Sequence, residues 1–600
     1  MKLVGAKTST SLPVFIIKHG YLLAILLAFL IRFAGLNFNP VGIAHDEIRD
    51  LIGAKSLAVT GKICPEMFAG IFTRTGEGVG IDTVFAELVT YLLVPWMRLF
   101  PLSLLWSKIP FVLASVGLVF ISAKFFENVT KRREIGILTA FLVAINPWAI
   151  HFGRSAYENI FAYFFYFLGL FLFTLPKAKN KNLVLGFIAC FLGFLSYFGT
   201  KPLFPVLVTL GVAFSLVGNS SESKKRAKDS VRLGILLILF SFLVTLGYLK
   251  ILSASPAGLR MREVAVEPGL DFAEQVNYQR RVSLEIPHVR DLAINKYNLM
   301  AKYYAERYLS VFSPRYLFAE GEKGFDAFMI ADHPFMYFLE LPLVVFGFIF
   351  LSFSFEVTVF ILLLIASLPL PTVLTKYSSS IYALRIGLLF PMLSGMAAMG
   401  IYGLTNKLEK YGIKRLFIFF VSGAYLFSFA YFWIIYWYRV PFEKNTGWYF
   451  PERVLVKYMV ELRKITDRKI VVVAGERVSH LMYYYAFYSG NYENKDDIYA
   501  LNNAIISGEN EVNGIFFTNE CPKVEKDSVY IFEGDVCEGF SSNLPRIAAT
   551  RDSGQRFLIA NDPVCGDLNL SRYPYPRNIT EFDVEKMDRK TFCKTWITKP

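Results

Sequence analysis

Long apolar runs dominate the chain from its start to about residue 440. A helix needs about 20 apolar residues to cross a bilayer core. Runs near that length begin at about Pro13, Leu105, Ile135, Tyr157, Leu183, Lys201, Leu233, Pro334, Val357, Ile381 and Phe417. They predict about eleven spans by this criterion. The first, from about Pro13 to Leu36, lacks a small-residue cleavage pattern and reads as a retained anchor. Val84 to Phe100 is apolar too, but it holds Glu87, Pro95 and Arg98. It is assigned to a helix lying in the outer interface. Long external pieces remain at about 37–104 and 253–333, the second polar and rich in Arg and Tyr. Past residue 440 the pattern changes. Glu452 to Ile465 is amphipathic, Lys469 to Ala474 is strand-like, and His480 to Ser489 reads as helix. Gly514 to Thr518 and Ser528 to Phe532 are further strand candidates. The predicted fold class is an all-α polytopic membrane bundle over 1–440, followed by an extracytoplasmic α/β domain over 441–600.

Composition supports the membrane reading. Apolar residues make up 54% of the chain and charged residues 19%, against about 25% charge in soluble domains. A soluble globule has too little interior for that apolar load. The formal charge of +14 is assigned to cytoplasmic loops, not to nucleic acid. Lys131-Arg132-Arg133, Lys177 to Lys181, Lys224-Lys225-Arg226 with Lys228, and Lys407 to Arg415 share one side if the spans alternate. That places the N-terminus in the cytoplasm and the tail outside. Cys521, Cys537, Cys565 and Cys593 cluster in the tail, which predicts disulfides on an oxidising side, with all three pairings open.

The sharpest chemical cluster is Ala44-His45-Asp46-Glu47-Ile48-Arg49-Asp50, some ten residues beyond the first span. Acids opening a helix can serve simply as caps. The functional alternative is a carboxylate at the membrane surface acting as general base, Asp46 or Glu47. A second acid is expected nearby, with Asp82 and Glu87 both available. No cofactor is called for. A divalent cation stays open, since His45, Asp46, Glu47 and Asp50 could ligate Mg²⁺ or Mn²⁺, but their spacing fits no standard zinc motif. Arg32, Arg154, Lys201 and Arg385 lie at or near the outer ends of spans. For Arg32 and Lys201, snorkelling to the headgroups is the simpler reading. Arg154, Lys201, Arg385, and Arg315 in the basic–aromatic stretch Tyr308 to Phe318, could grip a phosphate.

Taken in order, Arg32-Phe33-x-Gly35-Leu36, Pro40, Asp46-Glu47, Ala54 and Thr60-Gly61 resemble the start of the GT-C membrane glycosyltransferases. The similar branch is that of protein O-mannosyltransferases and lipid A aminoarabinose transferases. Arg154 to Asn159, Ser196 to Pro205, Tyr308 to Phe318, Pro369 to Thr375 and Arg385 are also similar to patterns of that superfamily. The resemblance implies sugar transfer from a polyprenyl-phosphate donor, with inversion, on the extracytoplasmic side. Asp46 would activate the acceptor, which could be a protein, a lipid or a polysaccharide. Basic residues would hold the leaving phosphate, and membrane lipids would surround the bundle. Three departures stand out. Phe85-Ala86-Glu87-Leu88 replaces a Pro-rich stretch, Lys201 stands where relatives often have Arg, and the Trp-Trp-Asp signature of oligosaccharyltransferases is absent. The competing class is a polytopic transporter or lipid flippase. It expects ionisable groups near the midplane and two related halves, whereas these charges sit at the outer edge and no repeat is visible.

Overall fold

The computed structural model describes residues 14–64, 88–175, 180–217, 224–253, 270–351 (except 285, 287 and 325), 355–374 and 381–599 (except 476, 509, 535, 538–543 and 549–554). Ten helices cover the first part: α1 Val14–Phe33, α2 His45–Thr60, α3 Val89–Leu99, α4 Leu104–Thr130, α5 Arg133–Ile145, α6 Pro147–Gly153, α7 Asn159–Phe173, α8 Asn180–Ser196, α9 Leu203–Val217 and α10 Lys224–Ser253. Shorter helices follow at Leu270–Arg281, Val289–Ala293 and Lys296–Val311. The apolar Glu340–Ile349, Phe355–Ser367, Leu389–Glu409 and Lys414–Tyr438 come next.

Every apolar run read from the sequence falls on a helix, but helix length does not carry the count of eleven spans. Among the described residues four helical stretches are long and apolar enough to cross a bilayer: Leu104–Thr130, Lys228–Ser253, Phe355–Val373 and Lys414–Glu443. The pair α5–α6, bent by 59°, makes a fifth if taken as one span. The physical reason is rise per residue. The 15 residues of α7 extend about 22 Å, short of a core of about 30 Å. The α5–α6 bend falls at Asn146-Pro147, where proline's missing N–H ends the first helix and starts the second. α10 and Lys414–Tyr438 present apolar faces outward, with Leu236, Leu243, Phe419 and Phe427 each more than 60% exposed. Such faces suit lipid, which makes this a membrane protein.

α3 covers the later part of the apolar stretch Val84 to Phe100, whose first four residues lie outside the described residues. Its 11 residues are too few to span, and it packs along α2 with Leu99 exposed.

In the tail, helices Phe450–Ile465, Val478–Tyr488 and Lys495–Ser507 cover a seven-stranded sheet of order β2-β3-β1-β4-β6-β5-β7. The strands are β1 Lys469–Val473, β2 Glu511–Val512, β3 Ile515–Thr518, β4 Ser528–Glu533, β5 Arg546–Ala548, β6 Gln555–Ala560 and β7 Ile597–Thr598. β1 lies parallel to β3 and β4, with Val471 opposite Phe516 and Tyr530. Its Ile-Val-Val-Val core is buried on both faces, the pattern of a parallel central strand. The remaining pairings are antiparallel. Disulfides join Cys521 to Cys537 and Cys565 to Cys593, while Cys64 and Cys190 are buried outside these bridges.

Candidate active site

The site is built on the segment between α1 and α2, which has no regular structure of its own to satisfy its carbonyls. Side chains from distant parts of the chain do so instead. Arg453 donates to the carbonyls of Asn37 (3.1 Å) and Val41 (2.5 Å), Arg154 to Asn39 (2.6 Å), Lys108 to Pro40 (2.8 Å) and Tyr484 to Ile43 (3.2 Å). At Gly42 a Cβ would stand 2.1 Å from the carbonyl oxygen of Trp448, so only glycine permits that approach. Pinning this segment fixes where α2 begins, and therefore where Asp46 and Glu47 point.

The two acids of the pair part company. Glu47 is fully buried. One oxygen accepts from the Ala44 N–H (2.7 Å) and the other from the Ala156 N–H (2.5 Å). The first contact is the carboxylate half of a capping box. The second ties α2 to the loop before α7. Burial pushes the Glu47 carboxyl up to about 7 against the pull of Lys108 and these N–H donors. Asp46 is the exposed member, its side chain 55% accessible, with Oδ1 3.5 Å from His45 Nδ1.

Near Asp46 lie two carboxyls, Asp50, read from the sequence only as a possible cation ligand, and Glu158, given no role there. Asp50 accepts from the Thr90 hydroxyl (2.6 Å) and shares a hydrogen bond with the Glu158 side chain. Asp50 Oδ2 and Glu158 Oε2 are both buried without a donor. Adjacent carboxyls cannot both ionise readily, so one proton between them satisfies the pair. Burial pushes Asp50 up to about 7, and Asp46 adds repulsion. Glu158 is raised well above the usual carboxylate range, first by burial, then by Asp50 and Asp46. The signal for Glu158 was present in Arg154-Ser155-Ala156-Tyr157-Glu158-Asn159, a stretch already singled out, but attention there went to the Arg.

Arg385 completes the group. Its loop, Ile381 to Leu388, is held by Glu322, which accepts from the Ala383 N–H (2.7 Å) and the Tyr316 hydroxyl (3.1 Å). Trp148 donates to the Ala383 carbonyl (3.0 Å) and Tyr163 to that of Leu384. The guanidinium lies over the Tyr382 ring (4.2 Å) and hydrogen bonds Tyr197. Its Nη1 is buried with no partner among the described residues. The Tyr197 hydroxyl is within electrostatic reach of Arg385, Glu158 and Asp46 together. Of these charged groups Arg385 is the one that contacts Tyr197; Glu158 and Asp46 act on it through their charge.

The other basic residues do not join them. Arg154 is fully buried and donates to the carbonyls of Ile31 (2.8 Å), Arg32 (3.0 Å) and Asn39, stacked on Tyr436 and Trp437. It braces the segment that carries Asp46. Arg32 and Lys201 do not snorkel. Arg32 is buried on Ser115 and the carbonyls of Val143 and Ala144, at the end of α5. Lys201 donates to the Phe194 carbonyl (2.8 Å) between the rings of Phe194 and Tyr248. Both find buried carbonyls closer than headgroups. Arg315 is 75% exposed and paired with Glu320. Asp82 and Glu87 lie outside the described residues. Among the described residues no group of three or more His, Cys, Asp or Glu side chains is placed to hold a metal.

The tail reaches this site. His480 Nε2 meets His45 Nε2, with the rings 3.8 Å apart, and Lys55 pairs with Glu493. Burial, then His45, Arg49 and Arg477, push His480 down to about 3, leaving it neutral.

No family model matches the chain, and no curated protein matches it. Solved structures do. The archaeal oligosaccharyltransferase AglB from Archaeoglobus fulgidus, in complex with an inhibitory peptide and a dolichol-phosphate, is similar over 92% of this chain and 75% of its own, at 11% identity and a TM-score of 0.45. ArnT from Cupriavidus metallidurans bound to undecaprenyl phosphate is similar over 92% of this chain and 99% of its own, at 10% identity and a TM-score of 0.46.

Proposed function

We propose that this protein is an integral-membrane glycosyltransferase. It moves a sugar from a polyprenyl-phosphate donor to an acceptor on the extracytoplasmic side, with inversion. The reading is supported by an exposed carboxylate, Asp46, on the same helix as Asp50 of the buried acid pair Asp50 and Glu158, and by Arg385, hydrogen-bonded to Tyr197, whose buried Nη1 has no partner among the described residues. Asp46 takes the proton of the acceptor hydroxyl. The acceptor oxygen bonds to the sugar carbon as the carbon–oxygen bond to phosphate breaks on the opposite face. The phosphate leaves with that electron pair, and Arg385 offsets its developing charge. The shared proton on Asp50 and Glu158 keeps the floor of the site from carrying two adjacent anions, so Asp46 is the acid that meets the acceptor. Glu47 and Arg154 position it. The test is incubation of membranes carrying the protein with radiolabelled polyprenyl-phosphate sugars, followed by isolation of the labelled product. Label transferred with the parent and absent with empty membranes supports the reading. Label that stays on the lipid for every sugar and acceptor fraction overturns it.

A further inference from the structure

The helices Leu270–Arg281, Val289–Ala293 and Lys296–Val311 form a projection that none of this chemistry uses. Its far end is apolar and uncovered: Val282, Leu284, Ile286, Val289, Leu292 and Tyr297 are each more than half exposed, Leu284 reaching 85%. A water-facing loop does not normally carry so many uncovered aliphatic side chains together. Its root lies at the end of a candidate span. The Tyr308 hydroxyl donates to the Ala366 carbonyl (2.7 Å) and Arg307 to that of Thr372 (2.9 Å), both in Phe355–Val373. Over 270–311 the sequence holds six Lys or Arg against five Asp or Glu, and Lys302 faces Glu306 at 3.7 Å, so the exposed cations nearest the apolar tip are Arg281 and Lys296. Arg281, Lys296 and Lys302 among them are exposed.

We propose that this projection docks on the lipid bilayer, the side chains of Val282, Leu284, Ile286, Val289 and Leu292 sunk into the headgroup–acyl boundary of a leaflet containing anionic lipid. The continuity with Phe355–Val373 sets it at membrane level. The aliphatic tip with its collar of cations is the pattern of a segment lying in the interface. Phosphate headgroups are the charge complement.

The test places a nitroxide at Leu284→Cys or Leu292→Cys in full-length protein. The native cysteines are buried or disulfide-bonded. Ile506→Cys, exposed in the tail domain, serves as the aqueous reference. In nanodiscs of phosphatidylcholine with phosphatidylglycerol, both tip labels should collide more with oxygen and less with a water-soluble nickel chelate than the Ile506 label. Adding Arg281→Gln and Lys296→Gln should reduce that protection. Tip labels as open to the chelate as Ile506 overturn the proposal. So does spin–spin broadening between tip labels, which would place a second copy of the chain there instead. The readout needs no enzymatic activity, so it stands whether or not sugar transfer is found.

Discussion

Replacing Asp46 with Asn removes a proton acceptor and changes almost nothing else. The side chain is 55% exposed and opens the first turn of α2. An acid there contributes about 0.3–1 kcal/mol through the helix dipole. Losing the charge also relieves its repulsion of Glu47, Asp50 and Glu158, so the net change in stability is smaller still. Loss of a general base costs about 10²–10⁴ in rate, equivalent to about 2.7–5.4 kcal/mol of barrier. The chemical effect therefore exceeds the structural one several-fold. The assay is turnover of labelled polyprenyl-phosphate sugar by purified Asp46→Asn protein, with thermal unfolding in the same detergent. Expected is a loss of at least 100-fold with a melting temperature close to the parent's. Turnover within a few-fold of the parent refutes the assignment and leaves Asp46 as a helix cap.

Glu47→Gln should do the opposite. Its NH₂ must face the Ala44 or Ala156 N–H, so one buried bond is lost and about 1–3 kcal/mol of stability with it, read by thermal unfolding. Arg154→Met leaves the carbonyls of Ile31, Arg32 and Asn39 unmet, and should cost about 3 kcal/mol or more on the same scale. Asp50 and Glu158 are raised in the fold, so the native state binds more protons than the unfolded chain. Stability should fall as pH rises from about 4 to 7, and Asp50→Asn with Glu158→Gln should flatten that slope in a pH series of melts. Reporter fusions after Lys228 and after Pro600 should report opposite sides of the membrane, and matching signals would undo the proposed orientation.

How much of this was legible depended on the range of the interaction. Periodicity exposed Phe450–Ile465, β1, β3 and β4, because each is a local pattern held against one layer. It missed β2, β5 and β7, which are two or three residues each, and β6, which pairs with β4 and β5. Asp46 could be found because acids after a span are conspicuous, but its separation from Glu47 depends on the Ala156 N–H, 109 positions away. Arg154 looked like a phosphate ligand because span ends attract basic residues. That it grips three carbonyls is set by the path of the chain between α1 and α2. Cysteine clustering announced the disulfides without choosing among pairings, which the sheet decides.

The most direct test is an experimental structure of the protein with a polyprenyl phosphate bound. The account predicts the phosphate against Arg385 Nη1 and Tyr197, with Asp46 facing the open space beside it. A phosphate seated at Arg315 or elsewhere, with Arg385 unengaged, would contradict it.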